Sequence, residues 1–152
     1  MKRSKKNEKR VIGLLLEMYS HILEPSVREL LLYATSFEKV DQAYRKYIVS
    51  LNQHLFGFIK RNCIVGCLGI ELHGNNGVIK HIAVSPEERG NGIGSKMITL
   101  ICEKYPLTNI SAETDNDAVE FYRKFGFKIT PLGEKYPGVE RYLCEYKNPM
   151  LI

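Results

Sequence analysis

The residues with the clearest chemical pattern are Arg89-Gly90-Asn91-Gly92-Ile93-Gly94, which follow an apolar run and lead into a helical pattern. Alternating glycines leave no side chain where the backbone has to approach a ligand. The first amide N–H groups of a helix lack intrahelical partners, and the helix dipole places roughly half a positive charge at that end. Arg89 adds a full charge. The pattern predicts an anion site, for which a pyrophosphate is the natural ligand.

Two common phosphate-binding motifs do not match this segment. A P-loop has Gly directly before its Lys and Ser or Thr after it, whereas Lys96 follows Ser95 and precedes Met97. A dinucleotide fingerprint that starts at Gly90 or Gly92 lacks its third glycine, and no strand–helix–strand unit precedes it. The segment therefore belongs to neither class.

With the spacing Arg-x-x-Gly-x-Gly, formed by Arg89, Gly92 and Gly94, the segment resembles the coenzyme A pyrophosphate loop of the GNAT N-acetyltransferase family. Residues 110–127 resemble the strand and helix that follow this loop in the family. The close resemblance covers residues 78–127, and the first fifty residues do not share it.

The resemblance implies an α/β fold with a central mixed sheet flanked by helices on both faces. It implies one acetyltransferase domain over residues 11–152, preceded by a basic tail at 1–10 that we expect to be disordered. It also implies acetyl-coenzyme A as co-substrate, no metal, and transfer of the acetyl group to a primary amine of a small molecule within a ternary complex. A protein or peptide amine acceptor, and a coenzyme-binding sensor without turnover, remain alternatives.

The same resemblance assigns the coenzyme-binding residues. The main chain of Ile82, Ala83 and Val84 would pair with the pantetheine arm, and an N–H near Val84 would polarise the acetyl oxygen. The pyrophosphate would be held by Arg89, Gly90, Asn91, Gly92, Ile93, Gly94 and Ser95. The other side of the arm would be lined by Asn116, Ala118, Phe121 and Tyr122, with Lys124 near the phosphates.

Tyr122 is the expected general acid, because the family places a tyrosine hydroxyl at this helix position, beside the coenzyme sulfur. A thiol with a pKa of about 8.5 leaves readily, so loss of this hydroxyl should reduce turnover without abolishing it. By base rate a tyrosine in an amphipathic helix is more often a core residue. The catalytic role follows from the resemblance alone.

The residues do not single out a general base. An alkyl amine has a pKa of about 10 and must lose a proton before it attacks. The family position for a carboxylate base falls at Val78 or Lys80, and neither side chain is a carboxylate. A water chain, or an amine of low pKa, would also serve. The remaining candidates are Glu113, Glu71, Asp115 and His81, among which Glu113 is our working assignment.

The acceptor pocket is expected between Glu24 and Ser50 and near Phe56, since the family varies mainly in this region. The aromatic side chains that could line it are Tyr33, Tyr44, Tyr47 and Tyr136, although such residues are more often core. The sequence does not name the acceptor, and it leaves monomer and homodimer open.

The net charge of +5 comes from the N-terminus, because residues 1–10 hold six basic side chains and one acidic one. The other 142 residues carry sixteen of each sign, so we expect no nucleic-acid partner. No apolar run reaches the roughly 20 residues of a membrane span, and residues 11–16 are too short for a signal peptide core. We therefore expect a cytoplasmic protein without a membrane partner.

The four cysteines are expected to be reduced and buried, since Cys63 and Cys67 lie in a strand-like run and Cys102 and Cys144 are remote from them. No histidine has a spacing to them that indicates zinc.

The apolar spacing predicts a helix over residues 11–23 that ends near Pro25. Capping boxes at Ser26/Glu29 and Thr35/Glu38 predict helices that run to about Tyr33 and about Ser50. The family usually starts with a strand. Either that strand is absent, or the short piece before the first helix supplies it.

A change to apolar, β-branched runs predicts a three-stranded meander with a strong turn at Asn76-Gly77 and a weaker one at residues 60–62. The predicted strands are 55–60, 64–72 and 78–84. Later elements are a helix at 92–105, a strand at 109–113, a helix at 117–125 and strands at 127–129 and 139–146.

Overall fold

The computed structural model describes residues 13–149, so the predicted basic tail lies outside the described residues. The helices are α1 (Pro25–Leu31), α2 (Val40–Val49), α3 (Ile93–Lys104) and α4 (Val119–Phe125), with a 3-10 turn at Pro86–Glu88. The strands are β1 (Leu14–Glu17), β2 (Gln53–Lys60), β3 (Cys63–His73), β4 (Asn76–Val84), β5 (Asn109–Thr114), β6 (Lys128–Tyr136) and β7 (Val139–Lys147). They form one sheet in the order β1-β2-β3-β4-β5-β7-β6, in which β4 and β5 are parallel and β5 and β7 antiparallel. The predicted mixed α/β fold is confirmed.

The helix predicted for residues 11–23 is wrong over the part that the structure describes, because Leu14–Glu17 form a strand and residues 18–24 contain no helix. β1 pairs antiparallel with β2, from Leu14 opposite Ile59 to Glu17 opposite Phe56. This pairing satisfies the backbone groups of the segment and overrides its helical apolar spacing. The first strand that the resemblance implies is thus present, but it lies inside the segment that we predicted to be helical.

The helices α1 and α2 do not start at the predicted capping boxes. Pro25 occupies the first turn of α1, where its missing N–H is not needed, so Ser26 lies inside the helix. α2 starts only at Val40, well after Thr35, and its N-cap residue forms no side-chain cap hydrogen bond. The two helices are therefore shorter than the sequence predicts.

Two short turns join β2, β3 and β4. Arg61 and Asn62, with φ of 53° and 63°, form the first turn, at the predicted place. The second turn is formed by residues 74–75, where Gly74 has φ of 59°, and not by Asn76-Gly77 as predicted. The Asn-Gly pair lies inside β4.

The chain divides into two compact units. The first comprises residues 13–69 and 81–100 and contains β1, β2, α1, α2 and the first turns of α3. The second comprises residues 70–80 and 101–149 and contains β5, α4, β6 and β7. Within residues 13–149, no helix is long and apolar enough to cross a membrane.

In the first unit, helices cover both faces of the sheet. The helices α1 and α2 form one core cluster with Leu55, Cys67 and Ala83. A Cβ at Gly66 would lie 3.2 Å from Cε of Met97 in α3. Because adjacent strand residues point to opposite faces, α3 packs on the face opposite to α1 and α2.

A glycine makes room for a hydrogen bond between α2 and β4 in the first unit. Tyr47 is 4% exposed, and its hydroxyl shares a hydrogen bond with Nδ1 of His81. The two rings meet edge to face, with centroids 5.6 Å apart. A Cβ at Gly69 would overlap the Tyr47 hydroxyl, so this arrangement requires glycine in β3.

In the second unit, α4 covers one face of the β5-β7 pair. Ala112 lies opposite Cys144, and both residues are buried. The Cys144 thiol is close enough to Tyr122 of α4 to raise the pKa of its hydroxyl. Glu113 lies opposite Leu143, so strand alternation directs these two side chains to the other face.

Candidate functional site

The glycine segment after β4 has the backbone geometry that an anion cradle needs. Gly90 and Gly92 have φ of 83° and 77°, in the left-handed region that favours glycine. A Cβ at either residue would meet no heavy atom within 4 Å, so the space beside both is open. α3 starts at Ile93, and the Lys96 N–H donates to the Gly92 carbonyl at 2.9 Å. The amides before Lys96 are therefore directed out of the helix end.

The buried side of α3 fixes the position of this cradle. Ile93 and Met97, one turn apart, are 7% and 0% exposed. The helix dipole adds positive potential at the anchored end. A pyrophosphate, such as that of coenzyme A, fits this combination of open space, outward amides and positive charge.

The end of β4 presents main-chain groups on the side away from β3. The Ser85 N–H donates to the Val65 carbonyl of β3 at 2.8 Å. Because successive residues direct these groups to alternate sides, the N–H and carbonyl of Val84 point away from β3. On that side, the registered pairing with β5 covers Asn76–Val78. Pro86, which has no N–H, follows at the start of the 3-10 turn.

The side chain of Arg89 folds back onto the end of β4. Its Nε donates to the Val84 carbonyl at 2.9 Å, and its guanidinium carbon lies 4.9 Å from the centre of the Tyr33 ring. Next to it, Glu88 forms an ion pair with Lys60 at 2.7 Å. These contacts were not predicted, and those with Tyr33 and Lys60 join segments that are far apart in the sequence.

Tyr122 combines a buried ring with an accessible hydroxyl. The residue is 3% exposed, and its ring lies 5.1 Å from the rings of Phe121 and Phe127. Its hydroxyl has no hydrogen-bond partner among residues 13–149. In this range, Nε of Arg141 is the only side-chain N or O atom that is fully buried and without a partner, so the Tyr122 hydroxyl is not fully buried. The Tyr122 oxygen therefore keeps contact with solvent.

The surroundings of Tyr122 keep it protonated and fix its position. Burial raises the pKa of this hydroxyl far above its ordinary value of 10.0, and the Cys144 thiol raises it further. The Tyr122 carbonyl accepts from the N–H groups of Gly126 and Phe127 at 3.2 and 3.0 Å, in the turn that ends α4. The hydroxyl is thus a proton donor over the whole neutral range.

The other predicted coenzyme residues of the second unit lie on α4 or just before it. Ala118 is the N-cap residue, Phe121 is half-buried in the helix, and Lys124 is exposed in its last turn. Asn116 is exposed, and its Oδ1 accepts from the Tyr142 hydroxyl at 2.7 Å. β7 therefore orients the Asn116 side chain, a contact that the sequence did not predict.

Of the four candidate bases, three have partners within the protein. Glu71 accepts from the His73 ring at 2.8 Å, and Asp115 accepts from a backbone N–H two residues on at 3.0 Å. His81 is bonded to α2 as described above. Glu113 is exposed, and its carboxylate has no hydrogen bond or ion pair with any other residue in 13–149. Its carboxylate is uncommitted within that range.

The four tyrosines proposed for the acceptor pocket lie in different environments. Tyr44 and Tyr47 are 5% and 4% exposed and belong to the core of the first unit. Tyr33 contacts Arg89 in the first unit, and Tyr136 is exposed at the end of β6 in the second. The first two are thus packing residues.

The cysteines are free, but they are not uniformly buried as predicted. Cys67 and Cys144 are buried, Cys102 is half-buried, and Cys63 is exposed at the start of β3. Burial raises the pKa of Cys67 from 9.0 to about 12. In the described part of the chain, no three or more His, Cys, Asp or Glu residues are grouped to hold a metal ion.

A groove of about 790 Å³ in the second unit contains none of the predicted site residues. It lies at the start of β5 and the end of β7 and is lined by Asn76, Gly77, Asn109, Ile110, Ser111, Gly126, Lys128, Glu145, Tyr146 and Lys147. We therefore do not assign this groove to the coenzyme or to the acceptor.

Comparison with protein families matches residues 51–129 to the acetyltransferase (GNAT) domain. The match covers more than half of the chain and includes both the cradle and Tyr122. A search of curated proteins found no match.

Solved structures share the fold over most of the chain. A GNAT family acetyltransferase from Elizabethkingia anophelis with acetyl-CoA bound is 23% identical, with a TM-score of 0.67, over 90% of this chain and 99% of that one. An aminoglycoside 6'-N-acetyltransferase complexed with coenzyme A is 14% identical, with a TM-score of 0.71, over 88% and 96%. The ribosomal-protein-S18-alanine N-acetyltransferase from Escherichia coli is 13% identical, with a TM-score of 0.69, over 89% and 93%. At these identities the likeness establishes the fold.

Proposed function

Because the chain belongs to the GNAT acetyltransferase family, we propose that it transfers the acetyl group of acetyl-CoA to a primary amine of a small molecule, by direct attack in a ternary complex. The observation that carries this proposal is the open cradle at Gly90 and Gly92, placed at the start of α3. Neighbours with acetyl-CoA or coenzyme A bound support the choice of co-substrate.

In the first unit, backbone groups do most of the proposed work. The amides of residues 89–95 hold the pyrophosphate, and the main chain of Ile82–Val84 pairs with the pantetheine arm. Arg89 supplies charge to the phosphates once its Nε leaves the Val84 carbonyl. The Val84 N–H donates to the acetyl oxygen as that atom becomes negative, a contribution of about 3 kcal/mol for one such donor.

In the second unit, two side chains transfer protons in the proposed reaction. Glu113 accepts a proton from the attacking amine, and Tyr122 donates one to the departing thiolate. Glu113 points to the sheet face opposite to α4, which carries Tyr122. Because the amine nitrogen and the thiolate sulfur are bonded to the same carbonyl carbon, Glu113 takes the amine proton through a water chain.

Calorimetric titration with acetyl-CoA, followed by a free-thiol assay across small amines and peptides, tests the proposal. We expect binding, and thiol release with at least one small amine. Release with peptides alone would support a protein acceptor instead, and binding without release would support a sensor. No binding would contradict the proposal. Cys63 is exposed, so each assay needs a blank without acceptor.

A further inference from the structure

Arg141 in β7 carries a sealed and unpaired polar atom. Its Nε is buried and has no hydrogen-bond partner, which is true of no other side-chain N or O atom in residues 13–149. Within that range Arg141 also forms no ion pair. An unpaired buried donor is unfavourable, and native structures rarely keep one without a reason. Arg141 as a whole is only half-buried, so a ligand can reach the outer nitrogens of its guanidinium.

The β6–β7 hairpin is irregular around this residue. Arg141 lies opposite Gly133, and shifts in the register fall on both sides of that pair, between Pro131 and Gly133 and between Glu134 and Tyr136. Gly133 has φ of 85°, and a Cβ there would meet no heavy atom within 4 Å. Bulges of this kind redirect side chains and are frequent beside active sites.

Arg141 shares a sheet face with Glu113. Glu113 lies opposite Leu143, and Arg141 is two positions from Leu143 along β7, so alternation places the three side chains on one face. Diagonal neighbours in such a pair are roughly 7–8 Å apart, and Glu113 and Arg141 form no ion pair with each other. The face thus presents a carboxylate, an apolar side chain and a guanidinium in sequence.

We propose that Arg141 binds an anionic group, a carboxylate or a phosphate, carried by the acceptor whose amine is deprotonated at Glu113. This inference rests on the proposed function and narrows its substrate class to amines that also bear an acid. The outer nitrogens of the guanidinium form charge-assisted, bidentate hydrogen bonds with either anion. The body of the acceptor lies over Leu143.

Matched acceptors that differ only in the acid test this directly: tyrosine against tyramine, histidine against histamine, and phosphoethanolamine against ethanolamine. We expect the parent to favour the acid-bearing member by roughly ten- to hundredfold in kcat/KM in at least one pair. In Arg141→Gln the ratio should fall to about one, through KM more than kcat. Arg141→Lys should keep part of the preference. Lys147→Gln removes a charge elsewhere on β7 and should leave the ratio unchanged.

Equal rates within every pair for the parent would overturn the inference and leave the acetyltransferase intact. An equal loss with both members in Arg141→Gln would reduce Arg141 to a structural role and also overturn it. Thermal melting of each variant identifies misfolding. If no amine releases thiol, the proposed function fails, and calorimetry with tyrosine and phosphoethanolamine then decides: binding to the parent and to Arg141→Lys but not to Arg141→Gln supports the inference, and no binding refutes it.

Discussion

The glycine cradle of the first unit and the two side chains proposed for proton transfer in the second differ in the kind of group they offer. Gly90 and Gly92 offer backbone, since their positive φ values and open surroundings let amides approach a ligand. The proposed roles of Tyr122 and Glu113 rest on single side-chain atoms, whose properties depend on burial and on the sheet face they occupy. Backbone recognition needs glycine at fixed spacing, which a sequence displays directly. Side-chain chemistry depends on the folded surroundings, which it does not display.

The strongest test of the cradle is Gly92→Val. A β-branched residue at φ of 77° is strained, and its side chain fills the space that the ligand needs. We expect acetyl-CoA affinity to fall by at least about 100-fold in calorimetry. Gly74→Val is the matched control, because Gly74 also has positive φ and open surroundings but lies in the β3–β4 turn. Gly74→Val should bind acetyl-CoA with unchanged affinity although its fold is less stable. Equal losses of acetyl-CoA affinity in both variants would contradict the cradle assignment.

Tyr122→Phe tests the side-chain half of the comparison. We expect kcat to fall about ten- to hundredfold, with unchanged affinity for acetyl-CoA, since a readily leaving thiol needs only moderate assistance. The hydroxyl has no partner within residues 13–149, so the melting temperature should hardly change. Tyr146→Phe removes a hydroxyl from the same aromatic cluster and should retain parent turnover. Parent-like kcat in Tyr122→Phe would remove this residue from the mechanism.

The smallest expected effect concerns Cys67, a buried group to which we assign no catalytic role. Cys67 of the first unit, like Tyr122, has a pKa raised by burial, in this case from 9.0 to about 12. The unfolded thiol ionises first, so its contribution to stability is complete below pH 9.0 and is lost as pH rises towards 12. Between pH 8.5 and 10, the free energy of unfolding in urea should fall in the parent and in Cys63→Ala, with Cys67 contributing about 1 kcal/mol. In Cys67→Ala the loss should be smaller by that amount, because burial raises the pKa of Cys102 and Cys144 as well. The same loss in that variant and the parent would exclude a contribution from Cys67.

The elements near the cradle were predictable because their signals are local. The strands β3 and β4 and the start of α3 were found within a few residues, from apolar runs and glycine spacing. β1 was missed because it is only four residues long and its pairing with β2 is remote in sequence. Gly77 was taken for a turn residue, but a Cβ there would lie 2.8 Å from Cδ1 of Ile70 and 3.1 Å from Cδ1 of Leu107. Tertiary packing, and not a turn, requires this glycine.

In the candidate site, too, the sequence does not reveal contacts that form only on folding. Tyr122 was assigned from a resemblance and Glu113 was a working choice among four candidates, and both roles are proposals. The contact of Arg89 with Val84, and that of Tyr142 with Asn116, have no signal in the sequence, because the partners meet only after folding. Arg141 could not be singled out among the basic residues, since only the structure shows that its Nε is sealed and unpaired.

The space that Gly69 leaves for the Tyr47 hydroxyl also constrains how this protein can diverge. Any side chain at position 69 collides with that hydroxyl, so a substitution there is tolerated only after position 47 has become smaller or α2 has shifted. Replacement of Tyr47 removes the obstacle but also the hydrogen bond to His81. A larger residue at position 69 therefore depends on a prior change in α2, and the hydrogen bond to His81 depends on keeping both Tyr47 and Gly69.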